Sequence, residues 1–168
     1  ATNRIFRVNF LGFGVDKLVC RSNTIKRLYL SGSADPFFSK SFRQFLIEFD
    51  PRRYPKMKRI HIHTNGILWT EQLWERMKSV HPFVKSCEIS IDAGTKDTYE
   101  NKTRLNGNWD ELIKILNITH EDTNLIIYYN KKPSFKKLNE GNKIIYMPKP
   151  FRISTLLNYI NKIIHTED

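Results

Sequence analysis

Three short stretches decide how this chain folds. They read Leu-Tyr-Leu-Ser-Gly-Ser-Ala-Asp-Pro-Phe (Leu28–Phe37), Ile-His-Ile-His-Thr-Asn-Gly (Ile60–Gly66) and Glu-Ile-Ser-Ile-Asp-Ala-Gly-Thr (Glu88–Thr95). Each is a short apolar strand that runs into a loop of small and polar residues. In α/β proteins such loops gather at the carboxyl ends of parallel strands and build the ligand site there. The three stretches therefore predict a parallel sheet with a binding site at one edge.

The rest of the chain alternates between strand and helix patterns. Apolar residues recur every three or four positions in the expected helices, and Ser39, Thr70 and Thr95 are placed to cap helices. Strands are expected at Ile5–Phe13, Ile25–Leu30, Lys58–His63, Val84–Ile91, Leu125–Tyr129 and Lys143–Met147, and helices at Phe38–Phe49, Thr70–Val80, Trp109–Leu116 and Ser154–Ile164. The alternation predicts an α/β fold of β-α units with a mainly parallel sheet, as a partial barrel or a flavodoxin-like layered architecture.

The composition bears on three classes of protein: membrane proteins, disulfide-rich proteins and nucleic-acid-binding proteins. The 168 residues are 40% hydrophobic and carry a net charge of +11. No apolar run approaches the roughly 18 residues that a membrane helix needs, so we expect no membrane association. Two cysteines make no disulfide framework, which fits a cytoplasmic protein. The positive charge is compatible with nucleic acid, but no recognition helix or aromatic RNA-binding motif supports that partner.

Two histidines share one face of an expected strand. His61 and His63 are two positions apart, so their side chains point to the same side. Two histidines on one strand face are a common element of metal sites, and a third His, Asp or Glu would complete one. We identify no such third residue from the sequence. The pattern therefore predicts the polar face of a half-buried strand, and no metal ligand is assigned.

The three stretches, with the residues after them, resemble the middle of the radical S-adenosylmethionine core. The resemblance is to the peptide-modifying, SPASM-type branch of the family and covers residues 26–118. It implies that residues 1–118 form a partial barrel. Its quoted segments are Leu28–Phe37, Ile62–Thr70, Ile89–Glu100 and Gly107–Leu112. The resemblance implies that Ser33 and Asp35 contact the amino group of S-adenosylmethionine. It implies that further residues line the cofactor site, namely Asn65, Ser90, Asp92 and Arg104.

The chain departs from that family at the iron–sulfur motif. The family holds a [4Fe–4S] cluster through Cys-x3-Cys-x2-Cys, upstream of the first loop. Only Cys20 lies upstream of Leu28 here. Without three thiolates the cluster is not held, so we expect none from this chain and assign no catalytic residue. The resemblance therefore implies a radical S-adenosylmethionine-like protein that is incomplete or degenerate, and not an active enzyme as the chain stands.

The region 119–168 resembles the second half of a response-regulator receiver domain. The likeness covers residues 125–164 and rests on Ile-Ile-Tyr-Met-Pro-Lys-Pro-Phe (Ile144–Phe151) and the helix pattern after it. It implies that Lys149 contacts a phosphoryl group and that its bond to Pro150 is cis. Two alternatives follow. The chain is a non-catalytic receiver-like regulatory module whose C-terminal helix binds a protein partner, or it is a recombined or engineered α/β chimera.

Overall fold

Six parallel strands form one sheet in the computed structural model, which describes residues 5–7, 23, 25–31, 35–119, 123–129, 144–150 and 154. The strands are β1 (Ile5–Arg7), β2 (Arg27–Leu30), β3 (Arg59–Thr64), β4 (Val84–Ser90), β5 (Asn124–Tyr129) and β6 (Ile144–Pro148). Each strand pairs in parallel with the next strand in sequence. The predicted α/β fold with a parallel sheet is confirmed.

The order of the strands distinguishes a flavodoxin-like sheet from the strand order of a barrel. In the described residues it runs from β1 to β6 without reversal. A flavodoxin-like sheet is doubly wound and places one strand out of order at a switch point. The observed order has no such reversal, and each strand lies beside its neighbours in sequence, as the strands of a β/α barrel do. The strand ends that follow one another in sequence therefore lie side by side at one edge.

Helical segments connect the strands and begin where the sequence places caps. They are α1 (Lys40–Ile47), α2 (Glu71–Arg76), α3 (Lys96–Thr98) and α4 (Trp109–Thr119), with 3-10 turns at Pro51–Arg53 and His81–Phe83 and a π turn at Tyr99–Thr103. The side-chain oxygens of Ser39, Thr70 and Thr95 accept hydrogen bonds from backbone N–H groups of the helices that follow them. The three predicted caps are confirmed. No helix in the described part of the chain could cross a membrane.

The two faces of the sheet differ in chemistry. On one face, buried strand residues such as Leu28, Ile62 and Ile89 pack with α1, α2 and α4 in the main core. On the other face lie Tyr29, His61, His63, Ser86, Glu88, Ser90, Ile126, Tyr128 and Met147. The alternation of side chains along each strand produces this separation. The second face therefore carries ionisable groups next to buried apolar ones.

Some expected features lie outside the described residues. These are the strand beyond Arg7, Cys20, Ser33 and the C-terminal helix except for Ser154.

Candidate functional site

Asp35, which follows β2, connects the loop after that strand to the end of β3. Its Oδ2 atom accepts hydrogen bonds from the hydroxyl of Thr64 at 2.7 Å and from the backbone N–H of Asn65 at 2.6 Å. Its Oδ1 atom accepts a third from the N–H of Phe37 at 2.9 Å. The carboxylate thus fixes the two strand-end loops relative to each other. Because each carboxylate oxygen can accept two hydrogen bonds, Oδ1 keeps capacity for another donor.

A cleft of about 540 Å³ opens beside this carboxylate. Its lining comes from the loops after β2, β3 and β4, namely Asp35, Phe38, Asn65, Ile67, Leu68, Leu105 and Asn106. Phe38 is 73% exposed and Leu105 is 67% exposed. Of the four large apolar side chains that the described residues expose, three line this cleft. An apolar rim around a few polar groups is the usual composition of a small-molecule site.

A second group of polar residues lies at the ends of β4 and β6. The Nζ atom of Lys149 donates to Oδ1 of Asp92 at 2.8 Å and to Oγ of Ser90 at 2.9 Å. The Nη2 atom of Arg104 donates to Oδ2 of Asp92 at 2.7 Å and to the backbone oxygen of Ser90 at 2.8 Å. One carboxylate therefore lies between two cations. The group keeps an excess positive charge, which favours an anionic ligand.

Local backbone geometry positions this group. Asp92 has φ of 55°, in the left-handed region that aspartate tolerates better than most residues. Two hydrogen bonds fix the backbone of Arg104. Its N–H donates to the backbone oxygen of Tyr99 at 2.8 Å, and its backbone oxygen accepts from the N–H of Gly107 at 2.7 Å. Residues in uncommon backbone regions concentrate at binding sites, where the surrounding structure holds them in place. The Asp92 backbone is therefore a further sign of a functional group here.

Two buried donors near these groups have no hydrogen-bond acceptor among the described residues. They are the Nε atom of Arg104 and the hydroxyl of Tyr99. Burial, with the negative charges of Asp35 and Glu100, raises the pKa of Tyr99 to about 12, while the Arg104 charge opposes the shift. The phenol is therefore a neutral donor at physiological pH. Buried polar groups are almost always paired, and Nε1 of Trp69 is a third buried donor without an acceptor among the described residues.

A third cluster lies on the polar face of the sheet. Oε1 of Glu88 is 3.3 Å from Nε2 of His61, and Oε2 is 3.8 Å from Nδ1 of His63. The other nitrogen of His61 is 2.7 Å from Oγ of Ser86. Burial alone would raise the pKa of Glu88, but the hydrogen bond and charge of His61, with His63 and the Tyr128 hydroxyl, lower it below its ordinary value. Glu88 is therefore a partly buried, ionised carboxylate.

Glu88 is the residue that the sequence analysis missed. From the sequence we identified no third residue beside the two histidines, whereas the strand register places Glu88 of β4 directly opposite His63 of β3. Only the register of two strands reveals this pairing, since the residues are far apart in sequence. In the part of the chain that the structure describes, no three or more His, Cys, Asp or Glu side chains are arranged to hold a metal ion.

Glu88→Gln is expected to flatten the dependence of stability on pH in the acid range. A carboxylate whose pKa is lowered by folding stabilises the protein above its unfolded pKa, here about 4.5, and the stabilisation is lost as the pH falls through the lowered value. Urea unfolding between pH 3 and pH 7 measures this, with an expected loss of about 1–3 kcal/mol at pH 7 in the variant. Exposed Glu75 provides the control. A Glu75→Gln variant with the same flattened profile would contradict the assignment.

The structure brings together most of the residues that the resemblances implied. Asp35 and Asn65 line the cleft, while Ser90, Asp92, Arg104 and Lys149 form the group at the ends of β4 and β6. Ser33 lies outside the described residues. Pro150 is exposed, and its bond to Lys149 is cis. The two groups adjoin at one turn, since Arg104 is followed by cleft residues 105 and 106.

Comparison with known proteins assigns no family to the chain. No protein-family model matches it, and no curated protein matches it.

Proposed function

We propose that this chain binds an adenosyl ligand of the S-adenosylmethionine type at the carboxyl ends of β2, β3, β4 and β6. The observation that carries the proposal is the cleft beside Asp35, with its exposed apolar rim. S-adenosylmethionine has an ammonium, a carboxylate and an adenine ring. The strand ends offer a carboxylate for the first, cations for the second and apolar side chains for the third.

Each of these contacts has a suitable group. Oδ1 of Asp35 has capacity to accept a hydrogen bond from the ammonium. Nζ of Lys149 uses two of its three hydrogens on Asp92 and Ser90, which leaves one for a carboxylate. Phe38 and Leu105 provide apolar surface on which an adenine ring can stack or pack. Ionic hydrogen bonds would orient the amino-acid part, and apolar burial would add affinity.

The [4Fe–4S] cluster implied by the resemblance does not fit the residues present. The family holds it with three cysteines, and the sequence has two, Cys20 and Cys87. Cys87 is fully buried on the helix-facing side of β4. Burial, with the Glu88 charge, raises the pKa of its thiol, which disfavours the thiolate that a metal ligand requires. We therefore propose a ligand-binding protein that catalyses no radical reaction on its own.

Isothermal titration calorimetry with S-adenosylmethionine tests the proposal. We expect a dissociation constant below about 1 mM, and the double variant Phe38→Ala/Leu105→Ala is expected to weaken binding about tenfold. Both side chains are largely exposed, so the stability of the fold should change little. Ile118→Ala removes an exposed apolar side chain that does not line the cleft and provides the control. Binding weaker than millimolar, or equal losses in both variants, would contradict the proposal.

The ion pair between Lys149 and Asp92 favours a second candidate function, that of a receiver-like regulatory module. In receivers a lysine after the last strand contacts a phosphoryl group, and the phosphorylated aspartate follows an earlier strand of the same sheet. Here Lys149 follows β6, Asp92 follows β4, and the atoms lie 2.8 Å apart. Incubation with acetyl phosphate and Mg²⁺ distinguishes the two candidates. A phosphoryl adduct that Asp92→Asn abolishes would favour the receiver-like module.

A further inference from the structure

A groove of about 490 Å³ separates α1 from α2 on the helical side of the molecule. One wall consists of Lys40, Arg43, Gln44 and Ile47, and the other of Leu68, Thr70, Gln72, Leu73 and Arg76. Neither sequence resemblance assigns a role to any of these residues. Its lining also contains none of the residues that we propose to contact the amino-acid part of S-adenosylmethionine.

The groove is positively charged. Its lining contains three cations, Lys40, Arg43 and Arg76, and no carboxylate. The acidic side chain that begins α2 points elsewhere, since Glu71 forms an ion pair with Lys114 of α4. Neither Lys40 nor Arg76 forms an ion pair with another residue that the structure describes. A concave surface with several cations of one sign concentrates anionic ligands.

Arg43 is held in place by the chain that leads into α1. Its Nη1 atom donates to the backbone oxygen of Phe37 at 2.9 Å. The planar guanidinium carries five N–H donors, so this bond leaves several for a ligand. A guanidinium that is already oriented loses less entropy when it binds an anion. The groove therefore combines one oriented cation, Arg43, with two exposed ones, Lys40 and Arg76.

The groove continues the strand-end cleft. Both are bounded by the same two stretches of chain, residues 35–47 and 65–76, and Leu68 lines both. Phe38 rims the cleft, and Lys40, two residues later, lines the groove. One ligand can therefore place an aromatic ring in the cleft and a charged extension in the groove.

We infer that the cleft and the groove together bind a nucleotide, with the base against Phe38 and Leu105 and the phosphates between α1 and α2. This rests on the adenosine-binding cleft proposed above and adds phosphate as the second chemical feature of its ligand. Arg and Lys side chains bind phosphate through short, ionic hydrogen bonds, and the three cations attract the negative charge of a polyphosphate. S-adenosylmethionine has no phosphate and would leave the groove unused.

Calorimetry with adenosine, ATP and tripolyphosphate at about 0.1 M salt tests the inference. We expect ATP to bind at least about tenfold more tightly than adenosine or tripolyphosphate alone. The double variant Lys40→Gln/Arg76→Gln is expected to weaken ATP binding about tenfold and to leave adenosine binding unchanged. Both residues are exposed, so the variant should fold. The matched control is Lys56→Gln/Lys102→Gln, which removes two exposed cations that do not line the groove.

Four outcomes would overturn the inference. Two concern the ligand alone: ATP binds no more tightly than adenosine, or tripolyphosphate binds as tightly as ATP. The other two are an equal loss of ATP affinity in both double variants, and tighter binding of a short oligoadenylate than of ATP. A titration with S-adenosylmethionine distinguishes a failure of the nucleotide inference from a failure of the proposed function. If S-adenosylmethionine binds and ATP binds no more tightly than adenosine, the groove assignment is wrong and the proposed function is unaffected. If ATP binds as expected and S-adenosylmethionine does not bind, the proposed ligand is wrong and the nucleotide site stands.

Discussion

Replacing Gly107 with alanine is expected to lower the free energy of unfolding by about 2–3 kcal/mol. A Cβ atom at this position would lie 2.6 Å from Cε1 of Tyr99 and 2.8 Å from the backbone oxygen of Arg104. Tyr99 is fully buried and packs edge-on against Trp109, so its ring cannot move aside freely. The added methyl group must therefore displace the turn that positions Arg104. Urea unfolding measures the loss.

Lys102, which is exposed in the π turn that precedes Gly107, provides the control for this substitution. Lys102→Ala removes a side chain that points to solvent, and its effect on stability should stay within about 0.5 kcal/mol. A Gly107→Ala protein as stable as the Lys102→Ala protein would show that the turn adapts. The close approach of Gly107 to Tyr99 would then have no role in holding the site.

Asp92→Ala is expected to lower the free energy of unfolding by about 2–4 kcal/mol. The substitution leaves the cations of Arg104 and Lys149 close together without the carboxylate that binds both. It also places an alanine in a left-handed backbone conformation, where aspartate is tolerated better. The three side chains are 20–31% exposed, so solvent reduces the effect below that of a fully buried ion pair. Thermal or urea unfolding at pH 7 measures it.

Asp92→Asn separates the contribution of charge from that of backbone conformation. Asparagine tolerates the same backbone and keeps one side-chain acceptor, so we expect a smaller loss of stability than with alanine. In a Lys149→Met background the Asp92→Asn substitution should cost less than in the native protein, because the ion pair is already absent. If both costs are equal, Lys149 and Asp92 do not stabilise the fold through each other.

Local signals in the sequence predict the elements of this fold well. The caps at Ser39, Thr70 and Thr95 are formed by residues three positions from the N–H groups they accept from, so a short segment contains all the necessary information. The strands are visible in the same way, through apolar residues followed by Gly, Pro, Asn and Asp. Regular alternation of the elements then implies a parallel sheet. Each of these inferences depends on neighbours in the chain.

The sequence alone does not predict which side chains meet when they are far apart in the chain. The side chains of Glu88 and His63 meet because two strands share a register, and that register includes an irregularity between Ile60 and His61. Asp92 and Lys149 meet across an intervening strand, although each could be placed at a strand end from sequence. The basic groove has no sequence motif, because its cations come from two helices that only packing brings together. The candidate ligand contacts depend on such pairings, so the structure is needed to find them.

The uninterrupted order of the strands has a consequence for how the protein is made. Each described strand pairs with its sequence neighbours, so a chain leaving the ribosome can add them to the sheet one at a time. From β2 to β4, each new strand then closes a loop of roughly 30 residues, at a modest entropic cost. Lys149 follows β6 and is synthesised after the other residues of its group. During synthesis Asp92 therefore has Arg104 available first, and its second cation is supplied only when the sixth strand docks.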